Sequence, residues 1–169
     1  QNSARKFTFS LLTAMFFVCG AVSADPIQEI EALILDKKYE DALAKAAAYR
    51  EESTGTPHEV RATYYIGLSQ LRLGQYDKAR EVFESLKKAK EISKELREKI
   101  YLGLIDTYLL QELYPDAIKT AQSLLKKSRD SESLSLIYLK LARANLKLAK
   151  WDKAQEYLEK IINEFPESV

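Results

Sequence analysis

One phrase recurs four times along this chain: KKYEDALAKA from Lys37, GQYDKAREVF from Gly74, ELYPDAIKTA from Glu112 and AKWDKAQEYL from Ala149. In each copy an aromatic residue is followed three positions later by alanine. Tyr39, Tyr76, Tyr114 and Trp151 are separated by 37, 38 and 37 residues, and Ala42, Ala79, Ala117 and Ala154 keep the same step. A fixed period of this size marks stacked supersecondary units, none of which can bury its apolar face alone, and so restricts the chain to a solenoid.

The residues around each phrase predict a helical hairpin with two unlike halves. Upstream lies a segment that is apolar nearly all round, such as Ile100, Tyr101, Leu102, Leu104, Ile105 and Tyr108, which implies packing on more than one side or the lining of a groove. Downstream lies a single apolar stripe at i, i+3, i+4 and i+7 (Ala79, Val82, Phe83 and Leu86, and again Ala154, Tyr157, Leu158 and Ile161) opposite a charged face. The first helix of each unit should face inward and the second should face water. Asp25-Pro26 and Thr56-Pro57 place an N-cap acceptor before a proline, with Gln28 and Glu59 as capping-box side chains, so helices should start near 26 and 57. Ser93 and Asp130 are the expected caps of the third and fourth hairpins, and Gly74 supplies a permissive residue at the second turn. With only five glycines and four prolines, and no strand alternation, the fold class is all-α, with about eight helices in four hairpins over about 25–55, 57–92, 94–130 and 131–169.

Residues 1–24 read as an export signal. Arg5 and Lys6 precede an apolar run from Phe7 to Val18, and Val22-Ser23-Ala24 offers small residues for cleavage before Asp25. Such a run spans only about 18 Å as a helix, short of a hydrocarbon core of about 30 Å. Cleavage would leave a chain with no cysteine, since Cys19 is the only one. An uncleaved segment would instead tether the domain to a membrane through residues 7–18, and a lipoprotein would need Cys19 behind the bulky Phe16-Phe17-Val18. Removal of Arg5 and Lys6 leaves 24 basic against 25 acidic groups, which lacks the positive field that a nucleic-acid backbone requires.

The chain resembles the tetratricopeptide repeat family. The second repeat carries Ile66-Gly67, Gly74, Tyr76, Ala79 and Phe83, the third Tyr101, Leu104, Tyr108, Tyr114 and Ala117, and the fourth Tyr138, Leu141-Ala142, Trp151, Ala154 and Pro166. The likeness covers residues 25–169 and is weakest in the first repeat, where Tyr39, Ala42 and Ala46 match. The period exceeds the usual one of about 34 residues, and the turn glycine is missing from repeats one, three and four. A longer period also occurs in bacterial envelope proteins of the outer-membrane assembly lipoprotein and Tol-associated periplasmic types, a weaker likeness.

This resemblance implies a non-enzymatic scaffold whose inner helices hold a partner's peptide or helix in a concave groove. Carried over in register, the groove positions are Ile27, Glu31 and Ile34; Arg61, Tyr64, Leu68, Leu71 and Arg72; Lys99, Leu102, Asp106 and Leu109; Leu136, Leu139, Arg143, Leu146 and Lys147. Apolar anchors outnumber charges there, so an apolar or amphipathic segment should fit, oriented by Arg61, Arg72, Lys99 and Arg143. The position at which some family members carry an asparagine for an acidic tail holds Leu68, Asp106 and Arg143 here. No cofactor or metal is expected: His58 is the lone histidine and reads as a solvated group, and no Gly-rich loop or metal-ligand spacing occurs.

The export signal and the fold lead to an expectation of a protein exported to the periplasm or envelope. The alternative is a membrane-tethered structural subunit of a larger envelope complex. Leu158, Ile161, Ile162 and Phe165 of the last repeat should be left uncovered, so that either the chain is an excerpt of a longer one or another subunit makes end-to-end contact there.

Overall fold

A computed structural model describes residues 25–90, 92–129 and 131–168, so the expectations for residues 1–24 and the Asp130 cap lie outside the described residues. Eight helices follow in order: α1 (Pro26–Leu35), α2 (Tyr39–Glu52), α3 (Pro57–Arg72), α4 (Tyr76–Lys87), α5 (Lys94–Leu110), α6 (Tyr114–Leu125), α7 (Ser131–Lys147) and α8 (Trp151–Glu164), with a short 3-10 turn at Pro166–Ser168. Every regular element among the described residues is helical, and the chain forms the helical-repeat solenoid that its period demands.

Helix starts follow the cap chemistry. Asp25 accepts a bond from the Ile27 N–H at 3.1 Å, Thr56 from His58 N–H at 3.2 Å and Ser93 from Leu96 N–H at 3.1 Å, each satisfying a donor that the first turn leaves open. The expected capping box at α3 differs in one respect. Glu59 reaches past its cap residue and accepts from the Gly55 N–H at 2.7 Å.

All four hairpins turn in the same way. The residue after the cap takes a left-handed conformation at Lys37, Gly74, Glu112 and Ala149, with φ of 60°, 74°, 60° and 53°. Two backbone bonds close each turn: Lys37 N–H donates to the Ile34 carbonyl and Lys38 N–H to that of Leu33, and this pair recurs at 74/75, 112/113 and 149/150. These are Schellman closures, in which the last carbonyls of the first helix find donors before the second helix begins. Gly74 is therefore one of four residues doing one job, and the turn forms at the other three without glycine.

Packing separates inner from outer helices. Each helix packs on the next, and α1 on α3, α3 on α5 and α5 on α7, whereas no two even-numbered helices make a comparable contact. Odd-numbered helices therefore stand closer together, which curves the stack with them on its concave side. The core runs through this row as one cluster, including Ile27, Tyr65, Leu71, Ile100, Leu104, Ile105, Ile137 and Leu141. Ala42, Ala79, Ala117 and Ala154, the alanines of the repeated phrase, are all buried, where a methyl group lets helix axes approach closely.

Candidate functional site

Inner-helix residues that escape the core line a groove with two clefts. One, of about 380 Å³, lies between the first turns of α3 and α5 and is lined by Pro57, Arg61, Tyr64, Tyr65, Ile92, Ser93, Glu95, Leu96 and Lys99. The other, of about 420 Å³, repeats one unit further on, between α5 and α7, with Lys94, Glu95, Glu98, Lys99, Leu102, Glu132, Ser133 and Leu136. Glu95 and Lys99 line both, so a ligand crossing from one cleft to the next passes between an acid and a base. The Glu95 carboxyl is held below its usual range by hydrogen bonds to its own backbone N–H and to Ser93 in the first turn of α5.

The groove positions expected from the sequence divide by depth. Arg61, Arg72, Lys99, Leu136, Leu139, Arg143, Leu146 and Lys147 are exposed, and Leu68, Leu102 and Asp106 are half-buried. Tyr64, Leu71 and Leu109 lie deeper than the others. Tyr64 forms part of one cleft wall but is otherwise buried, in ring contact with Tyr65 and Phe83 at centroid distances of 5.1 and 6.1 Å. Its phenol is pushed up to about 12 by that burial, with Arg72 pulling the other way. Leu71 and Leu109 stand three residues before their turns and belong to the core. Leu146 holds the same register in α7 and is exposed, because no further inner helix is described beyond it. Ile27, the first-repeat counterpart of Tyr64, is buried too.

Polar groups along the row are largely engaged with the neighbouring repeat. Asp106 of α5 pairs with Lys140 of α7, so the groove carboxylate comes with a counter-ion and the exposed charge there is that of Arg143. In the same register Glu31 of α1 accepts a hydrogen bond from the Tyr65 hydroxyl of α3. Burial first and this bond second raise the Tyr65 phenol well above its ordinary range. Glu98 accepts from the hydroxyls of Ser128 at 2.9 Å and Ser133 at 3.0 Å, fixing the start of α7 against α5.

Sequence reasoning missed Lys94, Glu95, Glu98, Ser93 and Ile92 as cleft residues, since they belong to a helix entry and not to the repeated inner stripe. It also missed Lys140 as the partner of Asp106, although opposite charges 34 residues apart at neighbouring register positions were a usable signal. His58 is exposed on the first turn of α3, its ring 6.2 Å from that of Tyr49.

Chemically the groove presents fixed apolar side chains, cations and anions, which is equipment for binding a chain segment. Among the described residues no group of three or more His, Cys, Asp or Glu side chains could hold a metal ion, and no helix is long and apolar enough to cross a membrane. Two family models, both described as tetratricopeptide repeat, match residues 36–91 and 137–168, about half of the chain in two stretches on either side of the third hairpin. Comparison with the curated proteins gives no match.

Proposed function

Since the chain belongs to the tetratricopeptide repeat family, whose repeats generally mediate protein–protein interaction, we propose that it is a non-enzymatic scaffold holding a partner's peptide or helix along its inner helices. The observation that supports this most is the tandem pair of clefts on α3, α5 and α7, open to solvent and lined by both apolar and charged side chains. Leu68 and Leu102 would take apolar side chains of the partner. Arg61, Arg72 and Lys99 would orient its acidic groups, with Asp106 already neutralised by Lys140. Binding should depend most on Leu102, which lines a cleft, and on half-buried Leu68, because a largely desolvated apolar anchor carries more energy than a charge at the rim. A folded Leu68→Glu, Leu102→Glu double variant should lose its partner in a crosslinking pull-down from native cells, and unchanged binding would remove the groove as the site.

The same reading places the scaffold in the bacterial envelope, supported by Arg5, Lys6, the apolar run at 7–18 and the small residues before Asp25. Mass spectrometry of the mature N-terminus tests it: a chain beginning at Asp25 is expected, whereas one retaining residues 7–18 would support a membrane-tethered structural subunit.

A further inference from the structure

The outer face of the last hairpin, α7 and α8, shares its apolar register positions with the earlier repeat junctions but has no helix upon it among the described residues. At the earlier junctions the residue nine positions after the turn is buried: Ala46 and Phe83 at 0% exposure and Ala121 at 1%, while its counterpart Leu158 is 37% exposed. Leu146 is exposed where Leu71 and Leu109 are buried and Ile34 half-buried, and Leu139 where Ile27 and Tyr64 are buried and Leu102 half-buried. Ile162 is exposed as well. Ile161 departs from expectation by being buried, and Phe165 by being half-buried against the Tyr138 ring, 6.0 Å between centroids.

Two polar positions of this face have counterparts that bond across an earlier junction. Six residues before the turn, Asp106 bonds Lys140 of the next repeat, and ten residues after it, Glu84 accepts from the Tyr108 hydroxyl of the next repeat at 2.7 Å. In the last hairpin these two junction positions are Arg143 and Glu159, both exposed and opposite in sign. Arg143 has no partner among the described residues, and Glu159 bonds only Gln155 of its own helix at 2.8 Å.

We propose that this face is a two-fold self-association surface on which α7 of one copy packs over α8 of a second, pairing Arg143 with Glu159 in both directions around an apolar centre of Leu139, Leu146, Leu158 and Ile162. A two-fold axis running along the helices keeps heights fixed. Arg143 and Glu159 lie within about one helical turn of the same height above the Ala149 turn, which an arginine side chain spans. Each contact is then made twice, as in any isologous interface.

Head-to-tail stacking on the first hairpin fits worse. In junction register Leu158 and Arg143 would both meet the Gln28 amide, and Glu159 would meet Leu33, which offers no donor where Tyr108 stands opposite Glu84. Among the described residues the first hairpin presents exposed Asp25 and Gln28 in this register, where the last hairpin presents exposed leucines.

Sedimentation equilibrium of the full chain over a concentration series tests the proposal. A concentration-dependent dimer is expected, lost in Leu158→Glu with unchanged circular dichroism. Arg143→Glu and Glu159→Arg should each weaken dimerisation by about tenfold or more, the low end for a close interfacial charge pair. Mixed together, those two single variants should form a heterodimer, because both crossed pairs are then attractive, and the double variant should recover the homodimer. A wild-type chain that stays monomeric throughout overturns the proposal. A dimer indifferent to Leu158→Glu, or a mixture that fails to associate, overturns it as well.

Discussion

The Phe83 ring lies directly against the backbone of Gly103: a β-carbon built on that glycine would stand 2.7 Å from the Phe83 Cζ, closer than any real contact. Gly67 on α3 forms the other wall, where a β-carbon would come within 3.0 Å of the Phe83 Cε1 and 2.9 Å of the Val82 Cγ1. A side chain of α4 is thus clamped between α3 and α5, and both walls are glycine because only a residue without a β-carbon leaves room. This contact sets how closely the second and third repeats approach, and with it the width of the cleft shared by Arg61 and Lys99.

Gly103→Ala should destabilise the fold. Helix propensity gains about 1 kcal/mol, but forcing a methyl group into a rigid, fully buried ring costs about 1–3 kcal/mol. A net lowering of the urea midpoint is expected, and adding Phe83→Leu should recover part of it by shortening the side chain that collides. An unchanged midpoint for the single variant would mean that the junction is loosely packed.

Glycine exchange at the turns should show opposite signs in the fourth and second repeats. Ala149 holds a φ of 53° that costs an L-residue about 1–2 kcal/mol. Ala149→Gly should therefore stabilise the chain by about 0.5–1 kcal/mol once the greater chain entropy of glycine is set against that strain. Gly74→Ala, at a φ of 74°, should lower stability by about 1 kcal/mol. Thermal unfolding of the two variants beside the parent checks both signs.

Alkaline pH should unfold the protein through its junction tyrosines. Burial and carboxylate partners raise the phenols of Tyr65 (with Glu31) and Tyr108 (with Glu84), and burial raises Tyr64 from 10.0 to about 12. The folded state holds these protons more tightly, so their contribution is complete below the unfolded value of 10.0 and is lost as pH climbs toward the folded values. Tyr64 alone removes about 1.4 kcal/mol for each pH unit over that interval. The denaturant midpoint should fall steeply above pH 10, and less steeply in Tyr65→Phe, which has no proton to lose.

The period alone makes the solenoid legible, because Tyr39, Tyr76, Tyr114 and Trp151 repeat a packing contact that only stacked hairpins produce. The helix starts at Asp25, Thr56 and Ser93 are equally readable, since a cap is a local bond between residues two or three apart. Depth within the groove was less accessible. Leu71, Leu109 and Leu146 share one register position and look alike in sequence, yet the first two are buried inside the stack and the third, in the last described hairpin, is exposed. Burial at that position is a property of the neighbour. The turns concealed their geometry for a different reason: Lys37 and Glu112 take a left-handed conformation that no local preference announces, imposed by the closure of the hairpin around them. Phe83 and Gly103 illustrate both limits, because each is unremarkable until the partner is known.

Site-specific photocrosslinking tests the central proposal most directly. A crosslinking residue placed at Leu102, on the wall of the α5/α7 cleft, is compared in cells with one at Lys119, exposed on the outer helix α6. The scaffold reading predicts a discrete partner adduct from position 102, none from 119, and loss of the adduct when Leu68→Glu is added. Equal adducts from both positions, or an adduct from 119 alone, would contradict it.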